Sequence, residues 1–214
     1  MKIGISLRVI KAGNYSEKRD GLSQDWSKLF GELDLIPVFI PNTIDNIKLF
    51  LDSIGINGII LSGGENIGVD LERDSTEIKL IQYGIDNNLP IFGVCRGMQM
   101  INHFFKGTIL INSSKDHVGN THEIKISNNI LSNNSNSELI LVNSFHNNII
   151  KDENIGEDLI IFARSVSDNT VEGIFHQKYK ILGVMWHPER KQKQKNGFII
   201  KDIFHDRNFW ENLV

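Results

Sequence analysis

A chain of 214 residues with a formal charge of −3 is long enough for one substantial α/β domain and carries no basic footprint for nucleic acid or anionic membrane. Hydrophobic residues at 40% and charged residues at 23% fit a globular protein, and no apolar run approaches the roughly 20 residues a membrane helix needs. The single cysteine excludes an internal disulfide and points to a reducing, cytoplasmic compartment, so the thiol is either buried filler or a reagent.

The apolar opening Met1–Ile10 lacks a basic leader and a cleavage site, and Lys2–Leu7 within it reads as a first strand. Trp26, Leu29, Phe30 and Leu33 then recur at helical spacing behind Ser23, a suitable cap. Ile36–Ile40, closed by Pro41, predicts a strand. Ile44, Ile47, Leu51 and Ile54 mark a second helix that leads into Gly58–Leu61, a short buried strand. Ile78, Ile81 and Ile85 mark a third helix, Leu89–Val94 another strand and Met98–Phe105 another helix. Such alternation predicts a mostly parallel sheet with helices on both faces, which holds its ligands at the carboxyl ends of its strands.

The second half reads differently. Glu123–Ile126, Leu139–Val142, Leu159–Phe162, Val171–Phe175 and Ile181–Met185 are strand-like with little helical pattern between them, which predicts an antiparallel extension of the sheet. Ser127–Ser137, rich in Asn and Ser, reads as an exposed loop, and Lys191–Asn196 as a polar mobile segment. Phe209–Leu213 reads as a last helical turn or two. With no repeat and no linker, one domain over 1–214 is expected.

Leu89–Val94 runs into Gly93-Val94-Cys95-Arg96-Gly97 and then into a helix. A sharp strand-to-helix turn lifts a nucleophile clear of its neighbours, and flanking glycines let the backbone turn and pack closely. The start of a helix favours thiolate over thiol, and the Arg96 N–H would point toward a developing oxyanion. Gln99, four residues on, faces the same way. Taken alone, the motif fits a small buried hydrophobe as well as a nucleophile. Its place at the end of a strand favours the nucleophile, which then requires a base.

Met185-Trp186-His187-Pro188-Glu189 supplies that base. Pro188 biases His187 toward extended backbone, where residues two apart share a side, so Glu189 can hold one ring nitrogen while the other meets the thiol. Of the other histidines, His146 is the strongest rival. His103, His176 and His205 lack a carboxylate at useful spacing. His117 and His122, in a loop-like stretch, would make a metal pair, but no cysteine or carboxylate cluster joins them in the sequence, so neither metal nor cofactor is expected. Finally, Ile59–Glu65 is a buried strand ending in two glycines, where the Gly64 N–H would be a second oxyanion donor.

Leu61-Ser62-Gly63-Gly64, Gly93–Gln99, Val142–His146 and Gly183–Glu189, in that order over nearly the whole chain, resemble the class I glutamine amidotransferase superfamily, and within it the free-standing γ-glutamyl hydrolases. The resemblance implies a flavodoxin-like α/β domain and a small-molecule γ-glutamyl amide substrate. It implies Cys95 as nucleophile, His187 as base, Glu189 as its orienter, and the N–H groups of Gly64 and Arg96 as oxyanion hole. Gln99, Asn143, Ser144 and Phe145 would hold the glutamyl group, partly through backbone atoms. Many members carry two histidines after Asn-Ser, whereas here Phe145 precedes His146.

The run Arg19–Trp26 narrows the resemblance to bacterial γ-glutamyl-CDP-amidate hydrolases of capsule phosphoramidate biosynthesis, which implies release of glutamate and cytidine diphosphoramidate. A diphosphate would call for cations near the pocket. Arg8, at the end of the first strand, is the leading candidate, with Arg19, Arg73, Lys115 and His117 in loops that could reach. Three alternatives stay open: a glutaminase subunit feeding ammonia to a synthase, a hydrolase of small γ-glutamyl amines or peptides, and a redox sensor in which Cys95 is oxidised without turnover. The residues also allow a homo-oligomer.

Overall fold

The computed structural model describes residues 1–13, 16–111, 117–127, 138–190, 198–206, 208–211 and 213. In chain order the first half contains β1 (Lys2–Ser6), β2 (Arg8–Lys11), β3 (Lys18–Gly21), α1 (Gln24–Glu32), β4 (Ile36–Ile40), α2 (Ile47–Ile54), β5 (Gly58–Leu61), α3 (Leu71–Asp86), β6 (Ile91–Val94) and α4 (Arg96–Phe104). The second half contains β7 (Leu110–Ile111), β8 (Val118–Ile126), β9 (Glu138–Phe145), β10 (Asn148–Ile149), β11 (Leu159–Ser165), β12 (Val171–His176), β13 (Ile181–Val184) and α5 (Phe198–His205).

Nine strands form one sheet in the order β4-β1-β5-β6-β13-β12-β11-β8-β9. Pairing is parallel from β4 to β13 and antiparallel from β13 to β9. The expected parallel sheet with an antiparallel extension is therefore what the chain builds. Strand alternation sends Ile60, Phe92, Leu182 and Val184 to one face, where they pack with Trp26, Leu29 and Phe30 of α1 and with Ile200, Ile203 and Phe204 of α5. Ile59, Leu61, Ile91 and Ile181 face the other way, against α2, α3 and α4. Every residue of β5, β6 and β13 is buried, as strands covered on both faces must be.

Several details differ from the sequence expectation. β8 starts at Val118 rather than Glu123, so His122 is a strand residue and not part of a loop. β2 and β3 form a separate hairpin, Arg8 opposite Gly21, at the carboxyl end of β1. That hairpin is mostly exposed and had no apolar alternation to announce it. The last helix is α5, while residues 208–211 form only a turn. Ile200, Ile203 and Phe204 have the helical spacing that would have revealed it. The expected loop at 128–137, the polar segment 191–196 and Lys115 lie outside the described residues.

Candidate active site

The parallel block ends its central strands together, and their next residues build the site. β13 and β6 are in register, Gly183 beside Gly93 and Val184 beside Val94, so their carboxyl ends lie side by side. Past that point the Cys95 N–H donates to the Val184 carbonyl at 2.7 Å. Cys95 then caps α4 with φ 53 and ψ −107, a left-handed conformation that costs strain in a non-glycine residue and turns the side chain out of the strand. The turn is possible because its neighbours have no side chain. A Cβ at Gly97 would sit 2.1 Å from the Leu61 carbonyl oxygen, and one at Gly93 would sit 2.7 Å from the Gly97 backbone.

His187 meets this sulfur from the segment that follows the neighbouring strand β13. Its Nδ1 lies 2.7 Å from Glu189 Oε1, which leaves the other ring nitrogen for the thiol. Asn143 fixes the histidine backbone from both sides: its amide donates to the His187 carbonyl at 2.8 Å, and its oxygen accepts from the His187 N–H at 2.7 Å. Burial alone would push the Cys95 thiol up and the His187 imidazole down. Their mutual hydrogen bond and charge outweigh that: the thiol falls below its ordinary value, and His187, helped by Glu189, rises to about 9. The contact thus favours the thiolate–imidazolium form of the pair over what burial alone would allow.

A buried ion network shapes the opposite wall. Arg73 of α3, fully buried, donates to the carbonyls of Ser62 at 2.8 Å and Gly63 at 3.1 Å, and to Glu77 and Glu65 at 3.0 Å each. Arg96 pairs with Glu77 and Asp74 in the same network. In a trans peptide the N–H and C=O point in opposite directions, so a Gly63 carbonyl held on Arg73 turns the Gly64 N–H away from it. Gly64 has φ 156, and a Cβ there would strike the Arg73 guanidinium at 2.2 Å. Arg73 is therefore not the loop cation that the sequence suggested, but a buried strut beneath the Gly63–Gly64 turn.

The resulting cleft is lined by Cys95, His187, Glu189, Gly63, Gly64 and Phe145, with Arg8, Trp26 and Arg190 among its outer walls. Phe145 stands edge-on to His187 with centroids 5.7 Å apart, and the Arg190 guanidinium lies 4.1 Å over the Phe145 ring. Gln99, Asn143 and Ser144 are buried behind the lining. The Ser144 hydroxyl is engaged by the His117 carbonyl at 2.7 Å, so what Asn143 and Ser144 can offer a ligand is backbone. Of the proposed cations, Arg8 reaches the cleft, 3.7 Å from Glu65. Arg19 is an exposed β3 residue paired with Glu17, and His117 is buried elsewhere, so neither lines it.

Sequence reasoning missed Arg190, although it directly follows His187-Pro188-Glu189. It also missed the carboxylate beside His117 and His122, because Glu172 comes from β12, 50 residues beyond His122 in the chain.

The peptidase C26 family model matches residues 3–189. The chain belongs to the peptidase C26 family. It is 36% identical over 211 residues to the γ-glutamyl-CDP-amidate hydrolase of Campylobacter jejuni, covering 95% of this chain and 98% of that protein. A crystal structure of a putative GMP synthase subunit from Thermoplasma acidophilum superposes with TM-score 0.71 at 26% identity, covering 95% and 92% of the two chains. A glutamine amidotransferase from Thermotoga maritima shares the fold at TM-score 0.64 and 12% identity, covering 99% and 86%. As a peptidase C26 protein this chain is an amide-bond hydrolase of the glutamine amidotransferase-like class. No helix among its described residues is long and apolar enough to cross a membrane.

Proposed function

We propose that the protein is a cytoplasmic hydrolase of a γ-glutamyl nucleotide amidate, converting γ-glutamyl-CDP-amidate to glutamate and cytidine diphosphoramidate. The Cys95 thiolate attacks the γ-carbonyl carbon, and the N–H groups of Gly64 and Arg96 hold the resulting oxyanion. The imidazolium of His187, oriented by Glu189, protonates the departing nitrogen as the C–N bond breaks. A water deprotonated by His187 then hydrolyses the glutamyl thioester. The glutamyl group lies against Phe145 and the backbone of Asn143 and Ser144, with Gln99 supporting them from α4. The diphosphate extends toward Arg8 and Arg190 at the mouth.

One observation carries this reading. A thiol paired with the His187 imidazole opens into a cleft with two arginines among its walls, which suits an anionic leaving group better than ammonia. The 36% identity with the Campylobacter jejuni hydrolase, end to end, supports the same substrate. The test is a kinetic comparison of the purified chain on glutamine, small γ-glutamyl amines and γ-glutamyl-CDP-amidate. The nucleotide amidate should have the highest kcat/KM, Cys95→Ala should lack turnover, and the unsubstituted protein quenched in acid during turnover should carry a glutamyl thioester on Cys95. Equal or faster use of glutamine, or of a small amine, would replace the nucleotide substrate in this reading.

A further inference from the structure

Behind the cleft wall, His117, His122 and His146 converge on Glu172. His117 directly precedes β8, His122 lies in the middle of it, His146 follows β9, and Glu172 lies in β12. Two outer partners fix the proton positions of the rings. His117 Nε2 lies 2.7 Å from Asp168 Oδ2, and a carboxylate only accepts, so that nitrogen carries the proton. His146 Nδ1 lies 3.0 Å from the Asn148 carbonyl, with the same consequence. In the neutral rings this leaves Nδ1 of His117 and Nε2 of His146 as bare lone pairs. Both face Glu172 Oε1, at 4.0 and 3.5 Å, while His122 Nε2 lies 3.5 Å from Oε2.

None of these inward-facing atoms, both oxygens of Glu172 included, has a hydrogen-bond partner. The Glu172 side chain is 0% exposed and those of His117 and His146 are 2% exposed. Lone pairs gathered around a buried carboxylate repel it unless a positive charge lies among them, either a metal cation or a proton on His146, whose pKa burial lowers but Glu172 raises overall. The spacing suits such a cation. A separation of 3.5 Å is long for a hydrogen bond, but about the edge of a tetrahedron whose centre bonds nitrogen and oxygen at roughly 2.0–2.2 Å. The candidate donor atoms of His117, His122 and Glu172 all lie within 4.8 Å of one another. A ring that gives its outer N–H to a carboxylate, as His117 does to Asp168, is how metal-ligating histidines are held.

We propose that His117, His122 and Glu172, with His146 beside them, bind one divalent transition-metal ion of the zinc class. The ion is structural. It ties β8 to β12, and its ligands connect to the catalytic wall: the Glu172 carbonyl accepts from the Met185 N–H at 2.9 Å, two residues before His187, and the His117 carbonyl accepts from Ser144.

The test uses the untagged full chain and its Cys95→Ala variant, which removes the thiolate as a competing ligand. After chelation and dialysis, each is titrated with zinc, followed by melting temperature and by elemental analysis after gel filtration. Cobalt(II) serves as the spectroscopic probe. Both proteins should retain one equivalent of zinc and melt at higher temperature with it. The cobalt form should show tetrahedral visible bands without a sulfur charge-transfer band. Glu172→Gln and His122→Asn should weaken zinc binding by at least about tenfold. No retained metal and no melting shift in wild type and Cys95→Ala would overturn the proposal, whatever the folding of the other variants. So would uptake that Cys95→Ala abolishes. If the site stands and Cys95→Ala still turns over substrate, only the functional reading falls.

Discussion

Burial as complete as that of Cys95 pushes a thiol pKa up, and this one falls below its ordinary value because His187 lies against it. That dependence sets the pH profile. On the proposed function, the productive thiolate–imidazolium pair exists between the lowered thiol pKa and the raised His187 pKa of about 9. As pH rises, kcat/KM should increase through the first value, reach a plateau, and fall as His187 loses its proton near the second. Glu189 raises the His187 pKa, so Glu189→Gln should move the alkaline limb to lower pH and lower kcat by about 10²–10⁴. A limb that stays in place would mean that Glu189 does not govern the imidazole. Asn143 acts one step further out. Asn143→Ala removes both bonds to the His187 backbone and should cost about 1–3 kcal/mol of stability. It should lower kcat more than it raises KM, measurable by denaturant melts and steady-state kinetics. At this scale the sequence exposed Cys95, His187 and Glu189 because each sits in a short motif with its own local logic. Glu172 and the clamp made by Asn143 stayed hidden because their partners are distant in the chain and come together only through strand pairing.

Between residues and molecule stand the strand ends, and their alignment depends on charges inside the protein. Arg73, Glu77, Arg96, Asp74 and Glu65 form a network beneath the Gly63–Gly64 turn, joined to β1 where the Ser6 hydroxyl donates to Glu77 at 2.7 Å. Removing one member leaves buried carboxylates short of a partner. Arg73→Met should therefore destabilise the fold by about 3–5 kcal/mol. It also frees the Ser62 and Gly63 carbonyls, so kcat should fall in whatever protein remains folded. Urea unfolding read beside activity at low temperature separates the two effects; a stable, fully active variant would show that the strut does not position the turn. Elements with strong periodicity were legible in the sequence: α1 by Trp26, Leu29 and Phe30, and β5 by an unbroken buried run. The β2–β3 hairpin was not, because its residues face solvent and carry no apolar alternation. Arg73 was misplaced for a related reason: a charged residue reads as surface unless its buried partners are known.

At the scale of the whole molecule, a net charge of −3 gives the protein a field that mildly repels an anionic substrate. On the proposed function, a nucleotide amidate is drawn in by cations local to the mouth, and the two there are not equivalent. Arg8 is shared with Glu65 at 3.7 Å, whereas Arg190 lies over the Phe145 ring, an arrangement that holds the guanidinium without neutralising it. Arg190→Ala should accordingly raise KM for the nucleotide amidate by roughly tenfold or more, the loss of one charge-assisted contact, and Arg8→Ala by less. Arg19→Ala serves as a control, because that side chain is exposed and engaged with Glu17 outside the cleft. None of the three should change KM for glutamine, which has no diphosphate to bind. Salt offers a check that needs no mutation. Because these contacts are partly exposed and screening acts over about 8 Å at physiological ionic strength, raising the salt should increase KM for the nucleotide substrate while leaving glutamine unaffected. Equal salt dependence for the two substrates would remove the arginines from recognition and leave only the glutamyl half of the site to choose what is cut.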